Sequence, residues 1–146
     1  MRPYTSRMKP GIDYVGMGVG ALMIRDHKAL MLLRTERCRN NRGMWTIPGG
    51  MAEVFETLED AVRRETLEEA GVRIKSIRFL ALSDRFFDGQ HWVSALYLCE
   101  ADGEPVNMEP HMHERIEWID TGRLPENITA PSMDAITAYK RSIAGS

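Results

Sequence analysis

Apolar and polar positions along the chain change period several times, and each change marks an element. Val15 to Ile24 (VGMGVGALMI) is a short apolar run broken by small residues, which predicts a strand whose glycines let another backbone come close. Asp26-His27 turns it into a second strand, Lys28 to Arg34, as a hairpin. Ile74 to Leu82 and Trp92 to Cys99 predict two further strands around the turn signal Asp88-Gly89, and Arg115 to Ile119 a last one. Helical periodicity appears twice. Thr57 with Asp60 caps the start of a helix that Gly71 stops in a left-handed conformation. Pro131 to Ile143 closes the chain as an amphipathic helix with Met133, Ile136, Tyr139 or Lys140, and Ile143 on one side.

The first helix has an irregular apolar face. Leu58, Ala61, Val62 and Val72 fall on one stripe, but so do Glu65 and Glu69, with Glu68 at its edge. Three carboxylates within about one turn repel one another and destabilise a helix unless something neutralises them. Arg63 and Arg64 offer one answer, a solvated acidic face with arginine neighbours. A hard divalent cation held by carboxylate oxygens is the other.

Composition narrows the class without naming it. The chain has 146 residues, fit for one domain with a sizeable core, and we treat 1–146 as a single domain with 1–12 as a flexible N-terminal segment. A formal charge of −2 gives no global pull toward nucleic-acid duplexes or membrane surfaces. Met1 to Arg7 lack the apolar segment of a signal peptide, and no run is long enough to span a bilayer. Cys38 and Cys99 make no metal-site spacing and suit reduced thiols, so a cytoplasmic location is expected.

Between the second strand and the first helix the chain turns to special chemistry. A loop rich in Arg and Asn (Arg34, Arg37, Arg39, Asn40, Asn41, Arg42) precedes Gly43-Met44-Trp45-Thr46-Ile47-Pro48-Gly49-Gly50. Pro48 biases Ile47 toward extended geometry, and Gly49 and Gly50 allow close backbone approach to a ligand.

The stretch from Gly50 resembles the Nudix box. That pattern is Gly, five residues, Glu, seven residues, Arg-Glu, an aliphatic, any residue, Glu-Glu, any residue, Gly, an aliphatic. Gly50, Glu56, Arg64, Glu65, Glu68, Glu69, Gly71 and Val72 all match it with every gap correct. Thr66 departs from it where an aliphatic is usual, a matter of packing, and Phe55 replaces a common glycine, which puts the loop's shape in question. The Gly43–Gly50 segment is similar to the family's lead-in.

The resemblance implies an α/β/α sandwich with a mixed sheet between helices, and a hydrolase of phosphoanhydrides in nucleoside diphosphates linked to another moiety. It implies Mg²⁺ or Mn²⁺ held by the Gly49 carbonyl, Glu68 and Glu69, with Glu65 as ligand or general base and Arg64 orienting a glutamate. Glu56 supports the loop or a further metal. A further carboxylate comes from the loop before Trp118, Glu109 being preferred to Glu114, and His111 and His113 read as solvated. Substrate contacts fall to Arg34 for phosphate, to Gly50, and to Trp45 or Phe86 for the base, with Phe87 and Trp92 as other candidates; Phe86 and Phe87 also read as core. Gly103 to Pro110 followed by Glu117-Trp118 looks like the nucleoside triphosphate pyrophosphatase branch, so a small nucleotide is the expected partner. The alternatives are a nucleoside diphosphate sugar or ADP-ribose hydrolase, and a nucleotide-sensing domain without catalysis; the latter is expected to have lost box glutamates that this chain keeps. An RNA-end processing enzyme needs a basic strand path that the near-neutral chain does not display. Family dimers are frequent, which makes a homodimer the expectation.

Overall fold

The computed structural model describes residues 8–145. Seven strands and two helices follow in the order β1 (Gly16–Arg25), β2 (Lys28–Arg34), β3 (Trp45–Thr46), β4 (Gly49–Met51), α1 (Leu58–Ala70), β5 (Ile74–Phe87), β6 (Gln90–Ala101), β7 (His113–Asp120) and α2 (Ala130–Ala144). The sheet runs β3-β2-β1-β6-β5, with β4 on β1 and β7 on β2. Among the named strands of the described residues, β1 and β6 pair in parallel and the other pairs are antiparallel. Both two-residue turns are built as expected: Asp26 (φ 49°) with His27 (φ 65°), and Asp88 (φ 47°) with Gly89 (φ 70°), match the right-handed strand twist.

A fork in this sheet prepares the site. β1 pairs with β2 only at Ile24↔Ala29 and Arg25↔Lys28. Its N-terminal half turns to β4 instead, through Gly18↔Met51, Val19↔Gly50 and Gly20↔Gly49. The chain that leads into α1 is therefore wedged against the middle of the sheet. Gly49 must be glycine here, because a Cβ would run into the Val19 carbonyl.

Two apolar layers cover the faces. On one, Ala61, Val62 and Ala70 of α1 pack with Val19, Met23, Leu30 and Tyr97. On the other, Ala135 and Ile136 of α2 pack with Leu22, Met31, Ile47 and Leu96. This is the sandwich the sequence implies. Two stripes differ from expectation. In α1 the buried set includes Thr66. In α2 it is Ser132, Ala135 and Ile136, while Met133 and Ile143 are exposed. Ser132 sets that rotation: its Oγ accepts the Ile47 amide at 2.9 Å and meets Thr129 Oγ1 at 2.7 Å, drawing the first turn inward by polar contacts.

Of the segment expected to be flexible, residues 1–7 lie outside the described residues. Residues beyond them are tied down. Gly11 donates to Tyr14 O and accepts from the His91 amide, and its α-carbon lies against the Trp92 indole. Among the described residues, no helix is long and apolar enough to cross a membrane.

Candidate active site

The acidic face of α1 is assembled from three directions. Thr57 Oγ1 accepts the Asp60 amide at 3.1 Å, and Gly71 (φ 68°) ends the helix with its N–H on Leu67 O. This fixes which residues of α1 point at β4. The β4 ladder supplies the second direction. Gly50 pairs with Val19, so Gly49, one residue away, turns its amide off the ladder and donates to Glu69 Oε1 at 2.9 Å. Gly50 carries no Cβ because Glu65 Oε2 fills that space. The third direction is the segment after β6. Val106 N donates to Ala70 O and Met108 N to Glu69 O, satisfying helix-end carbonyls and stitching residues 106–108 to α1. Glu109 follows directly and is half-buried, whereas Glu114 is exposed.

Electrostatics follow from this assembly. Burial pushes the Glu69 carboxyl well above the usual range, opposed by the Gly49 amide and reinforced by the charges of Glu65 and Glu109; Arg34 lowers it. Glu65 is raised by burial first, with Arg64 pulling it down and Glu68 and Glu109 pushing it up. Glu109 thus belongs electrostatically with the box glutamates.

Arg64 is the counter-charge that the sequence leaves open between arginine and cation. Its Nε and Nη2 form a fork on Glu56, at 2.7 and 2.9 Å. Nη1 donates to Glu65 Oε1 at 2.7 Å and Glu68 Oε1 at 3.2 Å, and Nη2 also reaches Met51 O at 3.1 Å. Glu56 is therefore bound to Arg64 and the Glu53 amide, as a support for the loop. Phe55 stands fully exposed with φ 68°, a left-handed conformation that costs glycine nothing. Among the described residues, no three His, Cys, Asp or Glu side chains converge as a metal cage. The donors nevertheless suit a hard cation: carboxylate and carbonyl oxygens, desolvated and mutually repelling.

A cleft of about 240 Å³ opens beside these groups. Gly49, Gly50, Glu69 and Arg34 form one part of it, and Arg85, Phe87 and Trp92 another. Arg34, at the bulge that ends β2, donates from Nε to Asn40 O at 2.9 Å. Other expected contacts fall elsewhere. Trp45 is 8% exposed in the α2-side core, with Arg115 over its ring at 5.5 Å. Phe86 is 75% exposed and stacks on His91, on the sheet face opposite its neighbours Arg85 and Phe87. Neither lines the cleft. His111 is exposed as expected, but His113 is buried, and burial followed by the Arg34 charge lowers its pKa to about 4.

The model of the NUDIX domain matches residues 15–139. The chain belongs to the Nudix family. Hydrolases of this family act on phosphoanhydride bonds in nucleoside diphosphate derivatives. A MutT NUDIX hydrolase from Burkholderia pseudomallei is 32% identical, with a TM-score of 0.80 over 84% of this chain and 96% of that one. The NUDIX domain of Shewanella oneidensis NrtR, solved with ADP ribose, is 18% identical with a TM-score of 0.74 over 97% of each chain, a likeness of fold. The NAD-capped RNA hydrolase NudC of Klebsiella pneumoniae is 41% identical over 83 residues, 57% of this chain and 31% of that protein. The chain spans about a third of the length of the curated relatives it matches.

Proposed function

We propose that this Nudix domain is a metal-dependent pyrophosphatase that cuts a nucleoside triphosphate into monophosphate and pyrophosphate. The observation that carries the reading is the buried Glu69 carboxylate, held on the Gly49 amide with Glu65 and Glu109 beside it, at the wall of a cleft. Mg²⁺ or Mn²⁺ would be held by the Gly49 carbonyl, Glu65, Glu68, Glu69 and Glu109. When bound, the cation supplies polarisation of phosphoryl oxygens and a more acidic water. Where Glu65 serves as the general base rather than as a ligand, Arg64 pins its Oε1 and leaves Oε2 as the atom that takes a proton from the attacking water. Water adds at one phosphorus of the α–β bridge, the bridging P–O bond breaks with its electron pair going to the departing half, and the products are nucleoside monophosphate and pyrophosphate. Arg34 binds a phosphate by charge, and Gly50 lets that phosphate come close to the main chain.

The Gly103 to Pro110 segment followed by Glu117-Trp118 supports the triphosphate. A second reading, cleavage of a dinucleotide of the NAD type, is favoured by the similarity to proteins named NAD-capped RNA hydrolases. The test is a Mg²⁺-dependent screen of nucleoside triphosphates, nucleotide sugars, ADP-ribose and NAD, scored for phosphate, pyrophosphate and nucleoside monophosphate. Release of pyrophosphate from triphosphates, lost in Glu68→Gln without loss of fold, is expected. Turnover of NAD alone supports the second reading. Full activity of Glu68→Gln contradicts the metal assignment.

A further inference from the structure

The cleft wall formed by the β5–β6 hairpin contains a cation that the phosphoanhydride chemistry does not use. Arg85 and Trp92 are direct cross-strand partners, and Phe87, two residues on, shares their face. The Arg85 guanidinium lies over the Phe87 ring, with Cζ 4.6 Å from the centroid. Trp92 is held flat from behind: a Cβ at Gly11 or at Gly16 would collide with its indole, and its Nε1 donates to Gln90 Oε1 at 2.8 Å. The result is a rigid apolar wall with an arginine laid along it.

Arg85 has its face occupied and its edge free. Among the described residues it makes no hydrogen bond and no ion pair within 4.0 Å, so its planar fork of N–H donors has no protein acceptor. Burial disfavours its charge, and Asp134 supplies the opposing field. Asp134 in turn accepts from Ser83 Oγ at 2.6 Å, which holds that carboxylate in place. Arg34 differs, since its charge acts on Glu69. The phosphates therefore belong at the Arg34 end. At the other end the aromatic faces of Phe87 and Trp92 suit a planar base rather than a phosphate, and a group with two adjacent acceptors fits the fork.

We propose that Arg85 is a specificity-determining residue of the nucleotide site, reading the O6/N7 edge of a guanine base set against the Phe87–Trp92 wall. This rests on the cleft being the nucleotide site, as argued above. A guanidinium fork and that edge form two parallel hydrogen bonds, whereas adenine presents a donor beside its N7 and pyrimidines lack the pair. Lysine keeps the charge but not the fork.

The test is calorimetric binding of GMP, AMP, CMP and UMP, without metal, to wild type, Arg85→Ala and Arg85→Lys, with thermal melts to check folding. Wild type is expected to bind GMP about tenfold more tightly than the other three. Both variants are expected to lose that preference while still binding all four at the weaker level. In turnover with guanosine triphosphate, Arg85→Ala is expected to raise KM about tenfold with kcat nearly unchanged. A wild type with no base preference, or Arg85→Ala keeping one, overturns the proposal. So does wild-type behaviour of Arg85→Lys beside uniform weakening in Arg85→Ala, which would make Arg85 an anion site. Guanine-selective binding without hydrolysis of any nucleotide would instead leave Arg85 in this role and remove the pyrophosphatase reading.

Discussion

Thr66 carries a hydroxyl into the interface between α1 and the sheet, where it is fully buried and its Oγ1 has no hydrogen-bond partner. A buried unsatisfied hydroxyl is destabilising, and valine has nearly the same shape without it. Thr66→Val is expected to stabilise the domain by about 1 kcal/mol, seen as a higher denaturation midpoint at unchanged slope, with activity unaltered. An equal or lower midpoint would mean that the hydroxyl is satisfied by water. Arg64 is the opposite case, a side chain with every arm occupied. Its fork on Glu56 and its reach to Glu65 and Glu68 use donors in fixed directions, which an ammonium cannot reproduce. Arg64→Lys is expected to keep the fold and lower kcat about tenfold to a hundredfold by loosening the glutamate it positions. Steady-state kinetics with a circular-dichroism control measure both.

At the scale of elements, α1 was largely readable before any coordinates. Its cap, its stop and its acidic face all follow from local spacing, because a helix places residues three and four apart on one side whatever surrounds it. Thr66 stands out in the sequence as a packing position because the pattern reserves it for an aliphatic, but only the packed structure shows how completely its hydroxyl is buried. Arg85, Phe87 and Trp92 were less legible still. Their common face depends on the register of β5 on β6, and strand alternation reverses if pairing slips by one residue, which is why Phe86 was as plausible in the sequence as Phe87. Trp45 is hard to place for the opposite reason: its neighbours in the chain are the glycine-rich lead-in, but its partners in space are α2 and the core. The depth of Glu69 also has a consequence for pH. Its carboxyl is raised in the folded state, so above the unfolded value near 4.5 the folded protein holds the proton more firmly than the unfolded chain. Its contribution to stability is therefore greatest at low pH and is lost as pH rises toward the raised folded value. In metal-free protein, Glu69→Gln is expected to remove this loss, so the stability gap between variant and wild type widens in the variant's favour from pH 5 to 8. A gap independent of pH would show that Glu69 is ionised without help.

Considered whole, the molecule brings distant stretches of chain to the fork in the middle of the sheet. β4 enters from the arginine-rich loop, α1 follows it, the 106–109 segment returns to the end of α1, and the β5–β6 hairpin forms the cleft wall. The sandwich and the position of the acidic patch were legible because one contiguous motif encodes both. The cleft was not, since it forms where β1 changes partner from β2 to β4, and no local pattern announces such a change. Binding of a cation that needs Glu69 ionised couples to the same proton, so Mg²⁺ is expected to raise the melting temperature more at pH 8 than at pH 6 in wild type. In Glu69→Gln the Mg²⁺ increment is expected to be small at both.

The most direct test of the whole account is a calorimetric titration of Mn²⁺ into wild type and Glu68→Gln at pH 8. A saturable site in wild type, weakened at least tenfold in the folded variant, is the predicted result. Absence of a site in wild type, or equal affinity in the two proteins, would contradict the claim that these carboxylates exist to hold a cation.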